Sequence, residues 1–270
     1  MVFTFFIYGL SFFSLGIIIY IYPRTNTQLK LADDLWLLAN FGLSHGVNEW
    51  LDMFILIAPE HAAILGDVRM VVLPISFFFL VQFGMNNLVK IKNKNAALKL
   101  VPFCLLAFWI IITGVSSQKL LIGDIAARYL LCVPGTLLTA YALMLHLPDC
   151  SHIHQPAHLK HMMKLTAGSF IFYGFFSGII VPEAWFFPTS IVNYTAFFDI
   201  VGIPIQFFRT FCAASMAYTV TRILSIFEWE TIDSLVRAHD SLENSVRMRT
   251  ASLQELNIEL REALEKTKKT

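Results

Sequence analysis

Residues 200–270 read IVGIPIQFFRTFCAASMAYTVTRILSIFEWETIDSLVRAHDSLENSVRMRTASLQELNIELREALEKTKKT. The stretch changes solvent part-way along. Up to Phe227 it is apolar and long enough to cross a bilayer. From Glu228 onward it is rich in Glu, Arg, Lys and Ser, with leucine returning at heptad spacing. Take Ile232, His239, Val246, Leu253 and Leu260 as a positions and Leu235, Leu242, Arg249, Leu256 and Ala263 as d positions. Eight of these ten seam residues are apolar, a pattern that predicts a left-handed coiled coil, most simply a parallel dimer. His239 and Arg249 interrupt the seam, and polar seam residues lower stability while fixing register. A solvated amphipathic helix is the plainer reading of the same pattern. No Pro or Gly lies between Phe207 and Thr270, so the last apolar stretch is expected to run as one helix into the coil.

Six further apolar stretches precede it, at 2–22, 35–57, 68–88, 100–115, 128–147 and 165–181. Each is near the roughly 17–25 residues that a helix needs to cross a bilayer. Of the 270 residues 56% are hydrophobic and 25 are Phe, too apolar for an ordinary soluble domain. The expected fold is all-α: a polytopic seven-transmembrane helix bundle (1–227) continuing into a cytoplasmic parallel coiled coil (228–270). The first stretch lacks a basic leader and a small-residue cleavage site, so it reads as a retained span rather than a signal peptide. Cys104, Cys132, Cys150 and Cys212 form no disulfide framework, and Cys within an apolar span behaves as a small hydrophobe. No internal repeat, nucleic-acid motif, P-loop, nucleophile elbow or metalloprotease helix is present.

Loop charges give an orientation. Arg24 and Lys30 follow the first stretch; Lys90, Lys92, Lys94 and Lys99 follow the third; Lys160 and Lys164 follow the fifth. The tail carries Arg237, Arg247, Arg249 and Arg261, whereas the alternate loops hold Glu60, Asp67, Asp124, Glu183 and Asp199. Basic residues collect on the cytoplasmic side, so the N-terminus is expected outside and the C-terminus in the cytoplasm. Trp185, Phe186, Phe187 and Tyr194, before the last stretch, suit the outer interface, where a short interfacial helix would fit.

Ionisable residues inside apolar spans are costly and usually face a bundle interior, a cavity or a partner. His45, Asn48, Glu49 and Asp52 in the second stretch are spaced i, i+3, i+4, i+7 and share one helical face. Glu49 is expected roughly 12 Å below the outer end of its span and Arg209 roughly 13 Å below the same surface. Two opposite charges then lie at matching depth. Arg69 and Arg128 enter at the outer ends of the third and fifth stretches, with Asp52 near their level. One reading is purely structural: ion pairs that lock the bundle, since an unpaired charge there would be expensive. The other is an outward-facing pocket, with carboxylates and His45 opposite arginines from three spans, holding a small polar ligand, a quinone head group or haem propionates. Arg suits such groups because its planar fork pairs bidentately.

His45 is also the candidate axial ligand for haem b, against the alternative of a histidine hydrogen-bonded in a polar core. A second axial histidine is missing at its depth: His146 lies roughly 12 Å lower and His61 is in an outer loop. His45 would also make the site responsive to pH. Cys150, His152, His154, His158 and His161 form a loop dense in metal ligands, but their spacing matches no standard zinc finger. A polar interfacial loop is the plainer reading, and no metal site is assigned. Gly84, Gly114, Gly168, Gly174 and Gly178 allow close helix approach. Pro74, Pro134 and Pro204 mark kinks within spans.

The run RMRTASLQELNIELREAL at 247–264 resembles the linker helix between the membrane part and the output domain of bacterial sensor histidine kinases. Similar helices precede diguanylate cyclase domains. FGLSHGVNEWLD at 41–52 and GIPIQFFR at 202–209 also look like the multipass N-terminal modules of such kinases. The resemblance implies a homodimeric two-component sensor in the bacterial inner membrane. Its partners would be the lipid bilayer, a cytoplasmic kinase output domain and a response regulator, with no nucleic acid. No phosphoacceptor helix or ATP-binding motif is present and the chain ends in mid-coil, which suggests an excised sensor piece that catalyses nothing itself. Two other classes stay open: a haem-b or quinone-binding electron-transfer protein, and a transporter subunit.

Overall fold

The structure, a computed structural model, describes residues 1–22, 30–148 and 156–268. Arg24, Cys150, His152 and His154 lie outside the described residues, so the loop of potential metal ligands is only partly in view. The elements are α1 (Val2–Ile21), α2 (Leu35–Ile57), α3 (Ala62–Lys92), α4 (Val101–Val115), α5 (Lys119–Ala127), α6 (Val133–Leu145), α7 (Pro156–Tyr173), α8 (Tyr194–Val201) and α9 (Ile205–Lys268). Two π-helical segments interrupt the series, Arg128–Cys132 between α5 and α6 and Gly174–Ile179 after α7. Among the described residues no strand forms beyond a single bridge between Val181 and Asn193. An apolar chain in lipid must satisfy every backbone group internally, and helices do this within one segment.

Among the described residues four helices are long and apolar enough to cross a membrane: Val2–Ile21, Pro59–Lys92, Ala96–Val115 and Lys119–Leu145. The bent pair Tyr194–Val201 and Ile205–Ser225 makes a fifth where it is counted as one span. These apolar helices point to a membrane protein. Helix α2, with 23 residues, and α7, with 18 residues plus its six-residue π segment, reach comparable length. Polar residues lower the hydropathy of both: in α2 they are His45, Asn48, Glu49 and Asp52, which belong to the site described below, and in α7 they are His158, Lys160, His161 and Lys164 in its first half.

The last apolar stretch differs from expectation. Rather than one helix from residue 200 with a kink at Pro204, the chain forms α8, stops, bends by 91° and restarts as α9. Gly202 closes α8 in the left-handed conformation, at φ 73°, and Pro204 disfavours helical geometry at the residue before it. The fifth stretch starts earlier than expected, at Lys119. Its π turn contains the bond from Val133 N–H to Arg128 O, which shifts the ladder directly before Pro134, a residue with no N–H to give.

Contacts separate the chain into two units, Met1–Phe227 and Glu228–Thr270. In the first, α1 and α2 approach closely through glycine. A Cβ on Gly42 would stand 2.8 Å from the Phe12 carbonyl oxygen, and one on Gly46 would stand 2.7 Å from that of Gly9. Gly42-x-x-x-Gly46 is thus a small-residue face against which a neighbouring backbone packs. The core is aromatic: Tyr8, Phe12, Phe41, Phe77, Phe170 and Tyr173 are all essentially without exposure. In the second unit Leu242, Leu253 and Leu256 of α9 stand more than half exposed.

Candidate functional site

Among the described residues of the first unit, two polar groups of side chains hold the residues singled out in the sequence. The first surrounds His45. Phe12, Phe41 and Phe77 pack their rings against it, with centroids at 4.8, 5.3 and 5.0 Å. Its imidazole is fully buried, and both ring nitrogens have partners. Nδ1 lies 2.9 Å from Ser76 Oγ, and Nε2 lies 2.6 Å from the Tyr173 hydroxyl, which is 2.9 Å from the Tyr8 hydroxyl. Ser76 donates its own proton to the Leu73 carbonyl at 2.6 Å, so its lone pair accepts from His45 Nδ1–H. A neutral His45 then accepts at Nε2 from Tyr173, and Tyr173 accepts from Tyr8. Four helices, α1, α2, α3 and α7, thus contribute one link each to a single chain of hydrogen bonds.

Glu49 complicates that chain. Its Oε1 accepts from Asn48 Nδ2 at 3.0 Å and stands 3.3 Å from His45 Nε2. Two lone pairs facing at that separation repel unless a proton sits on one of them. A proton on Nε2 would turn His45 into a donor there, and the hydroxyls of Tyr173 and Tyr8 would reverse direction. The constellation therefore has two discrete arrangements that differ in one proton. Asn48 Oδ1 is buried without a hydrogen-bond partner, one further polar atom that the core leaves unsatisfied.

The second group is a relay of charges. Arg69 reaches Asp52 at 2.6 Å and Asp124 at 2.8 Å. Arg128 reaches Asp124 at 2.9 Å and donates to the Ser177 carbonyl at 2.8 Å and hydroxyl at 3.1 Å. Arg209 donates to the carbonyls of Phe176 and Ile180, each at 2.9 Å, and to the Tyr194 hydroxyl at 3.1 Å, with its guanidinium 4.9 Å from the Tyr194 ring centre. Both arginines thus hold carbonyls at the π-helical end of α7. A helix C-terminus presents free carbonyls and the negative end of the dipole, so it attracts cations. The rings of Phe176, Phe197 and Phe208 close over this end, with Phe176 and Phe208 centred 5.1 Å apart.

All seven residues singled out in the sequence lie in these two groups, His45, Asn48 and Glu49 in the first and Asp52, Arg69, Arg128 and Arg209 in the second. The expected facing of Glu49 and Arg209 does not produce an ion pair. Glu49 turns to Asn48 and His45, while Arg209 spends its donors on carbonyls and Tyr194. The contributions of Tyr8, Ser76, Asp124, Tyr173 and Ser177 were not foreseen. Tyr within an apolar run reads as a core aromatic, and only the pair Gly174 and Gly178 hinted at an irregular end to α7.

A cavity of about 220 Å³ opens beside the charge relay, lined by Asp52, Arg69, Asp124, Gly66, Gly123 and Leu120 among others. That is below the roughly 300–1,000 Å³ of drug-sized ligand sites, so it suits a small polar group and not haem. His45 is equally unsuited to haem iron, because each ring nitrogen already has a hydrogen-bond partner within its ring of Phe side chains. His146 is likewise engaged, by Asn87 Oδ1 at 3.1 Å. Among the described residues no three His, Cys, Asp or Glu side chains are grouped to hold a metal ion. No protein-family model, no curated protein and no solved structure matches this chain.

Proposed function

We propose that this chain is the input stage of a membrane signalling protein. Its seven spans would be α1, α2, α3, α4, α5 with α6, α7 and α9, with the N-terminus outside and the C-terminus in the cytoplasm of a bacterial inner membrane. Residues 228–270 pair with those of a second copy as a parallel coiled coil, which carries the signal to a kinase output domain and its response regulator. The observation that supports this reading best is the position of the π-helical end of α7. Tyr173, its last α-helical neighbour, holds His45. Three and seven residues later the carbonyls of Phe176 and Ile180 hold Arg209 of α9. A change in the proton or ligand state of the buried polar groups therefore bears on the helix that leads to the output. A stimulus shifts such an equilibrium only by binding its two states differently, and a proton shared between His45 and Glu49 meets that condition. The exposed leucines after Glu228 support a partner, because an apolar seam left open on a surface marks an interaction site.

The test places a spin label at Leu256→Cys in the protein reconstituted in liposomes and reads the distance between the two copies. Glu49→Gln and Arg209→Gln should each shift or broaden that distance distribution while the helix content stays the same. Identical distributions in both variants would remove the proposed coupling. A fluorescent protein fused after Thr270 checks the orientation, since it should emit from the cytoplasmic side.

A further inference from the structure

We infer that the outward face of α9 within the first unit, centred on Phe207, Phe211, Ala214 and Tyr218, is an interface for the α9 of a second copy of this chain. The inference rests on the dimer reading above and adds that the pairing is made inside the apolar span as well as in the coil.

The argument starts from the two faces of α9. Between Ile205 and Ser225 one face is buried, with Arg209, Ala213, Met216, Val220 and Ile223 turned into the bundle. The opposite face is open: Phe207, Phe211 and Tyr218 are 50%, 76% and 61% exposed, and Ala214 is exposed between them. Exposure alone decides nothing in a bilayer, where lipid is as apolar as leucine. The phase is what selects the partner. Counted along the sequence, Phe211 and Tyr218 precede the a position Ile232 by whole heptads, and Phe207 and Ala214 precede the d position Leu235 likewise. Alternating steps of four and three run through 207, 211, 214 and 218, and whole heptads carry that register without a stutter past the polar Thr221, Ser225 and Glu228 to Ile232 and Leu235. A stutter would mark a change of seam. The heptad count could have met the buried face of α9 instead, where the bundle already occupies it.

The surface beside the stripe fits the same occupant. A cavity of about 560 Å³ lies between α7 and α9, lined by Phe172, Phe176, Phe207, Phe211 and Ser215 among others. Its hydroxyls are satisfied within the chain, since Ser169 Oγ and Ser215 Oγ stand 2.8 Å apart. The groove therefore offers an apolar bed and no free donor or acceptor for a polar head group. Ala214, the smallest residue of the stripe, lets a second backbone come near, as small residues do at helix crossings in membranes. A twofold parallel pairing brings each stripe residue against its own copy.

Cysteine cross-linking in native membranes tests this, with Cys104 and Cys150 replaced by alanine. Single variants Phe211→Cys, Ala214→Cys and Tyr218→Cys are oxidised beside Leu256→Cys in the coil and Ile111→Cys, an exposed position on α4. The expected result is a shift to twice the monomer mass for Ala214→Cys and for Phe211→Cys or Tyr218→Cys, as for Leu256→Cys, with Ile111→Cys staying monomeric. Ala214→Cys is the mildest change and keeps the test valid if an aromatic replacement disturbs folding. A dimer band for Leu256→Cys alone would mean that lipid covers the stripe, and would overturn the inference while leaving the coil dimer standing. No dimer band at any position would remove the dimer reading and this inference together.

Discussion

Asp52 with Arg69 and Asp233 with Arg237 are nearly the same ion pair, with nitrogen to oxygen distances of 2.6 and 2.7 Å. The first pair has side chains about one-fifth exposed and shares Arg69 with a second, buried carboxylate. The second lies on the open surface of α9, with side chains 62% and 79% exposed. Contact geometry is therefore a poor guide to what a charge does in this molecule. Inside the bundle a buried cation such as Arg128 is a commitment, because removing its partner leaves a charge with little water to turn to. On the exposed length of α9 the same contact is exchanged with solvent at little cost.

Asp124→Ala puts the largest strain on that contrast. Asp124 is the carboxylate shared by Arg69 and Arg128, and its loss leaves the buried Arg128 without its carboxylate and the partly exposed Arg69 with Asp52 alone. Breaking a buried pair from one side costs about 3–5 kcal/mol. The variant is expected to unfold at much lower temperature or SDS fraction in detergent, measured by circular dichroism. Asp124→Ala with unchanged unfolding would mean that the relay is wet and that burial has been given too much weight. Gly46→Val tests the backbone contact that brings α1, with Tyr8, up to α2, with His45. Its new side chain would meet the Gly9 carbonyl and Phe13, and overpacking of this kind costs about 1–3 kcal/mol. The same unfolding assay reads it, and unaltered stability would show that α1 and α2 can separate freely.

Tyr173→Phe asks how much of the histidine group depends on its hydrogen bonds. It removes the hydroxyl between His45 Nε2 and Tyr8, leaving the Tyr8 hydroxyl without that partner and His45 Nε2 with only Glu49 Oε1, 3.3 Å away, at about 1–3 kcal/mol. Tyr8→Phe removes only the terminal link and should cost about 1 kcal/mol. Equal losses in the two variants would contradict the chain order Tyr8, Tyr173, His45, Ser76. Local signals made part of this group legible. The spacing of His45, Asn48, Glu49 and Asp52 places them on one helical face whatever the rest of the chain does. What stayed hidden came from other helices. Ser76 lies 31 positions from His45 and Tyr173 lies 128, and no periodicity links such positions. Opposite charge at equal depth predicted Glu49 facing Arg209, but charge arithmetic counts only side chains. The acceptors that Arg209 uses are backbone carbonyls released by the π-helical end of α7, which no residue type announces. The break at Gly202 and Pro204 was half legible: the proline signalled a kink, and the left-handed glycine turned it into a full stop.

Arg237→Ala is the smallest change and the sharpest control. It deletes an ion pair of nearly the same length as that between Asp52 and Arg69, one turn apart on a single helix and in the open. An exposed i, i+4 pair is worth about 0.3–0.5 kcal/mol, and salt screens it within roughly a Debye length of 10 Å at 0.1 M. Thermal unfolding of Arg237→Ala should therefore sit close to the parent protein, and the small gap should shrink further in high salt. Asp124→Ala should keep most of its deficit under the same salt, because ions do not reach a charge enclosed by helices. A salt-insensitive loss in Arg237→Ala would place Arg237 in a buried contact, and the proposed seam would then run along a different face of α9 from the one that Leu235, Leu242 and Leu256 define.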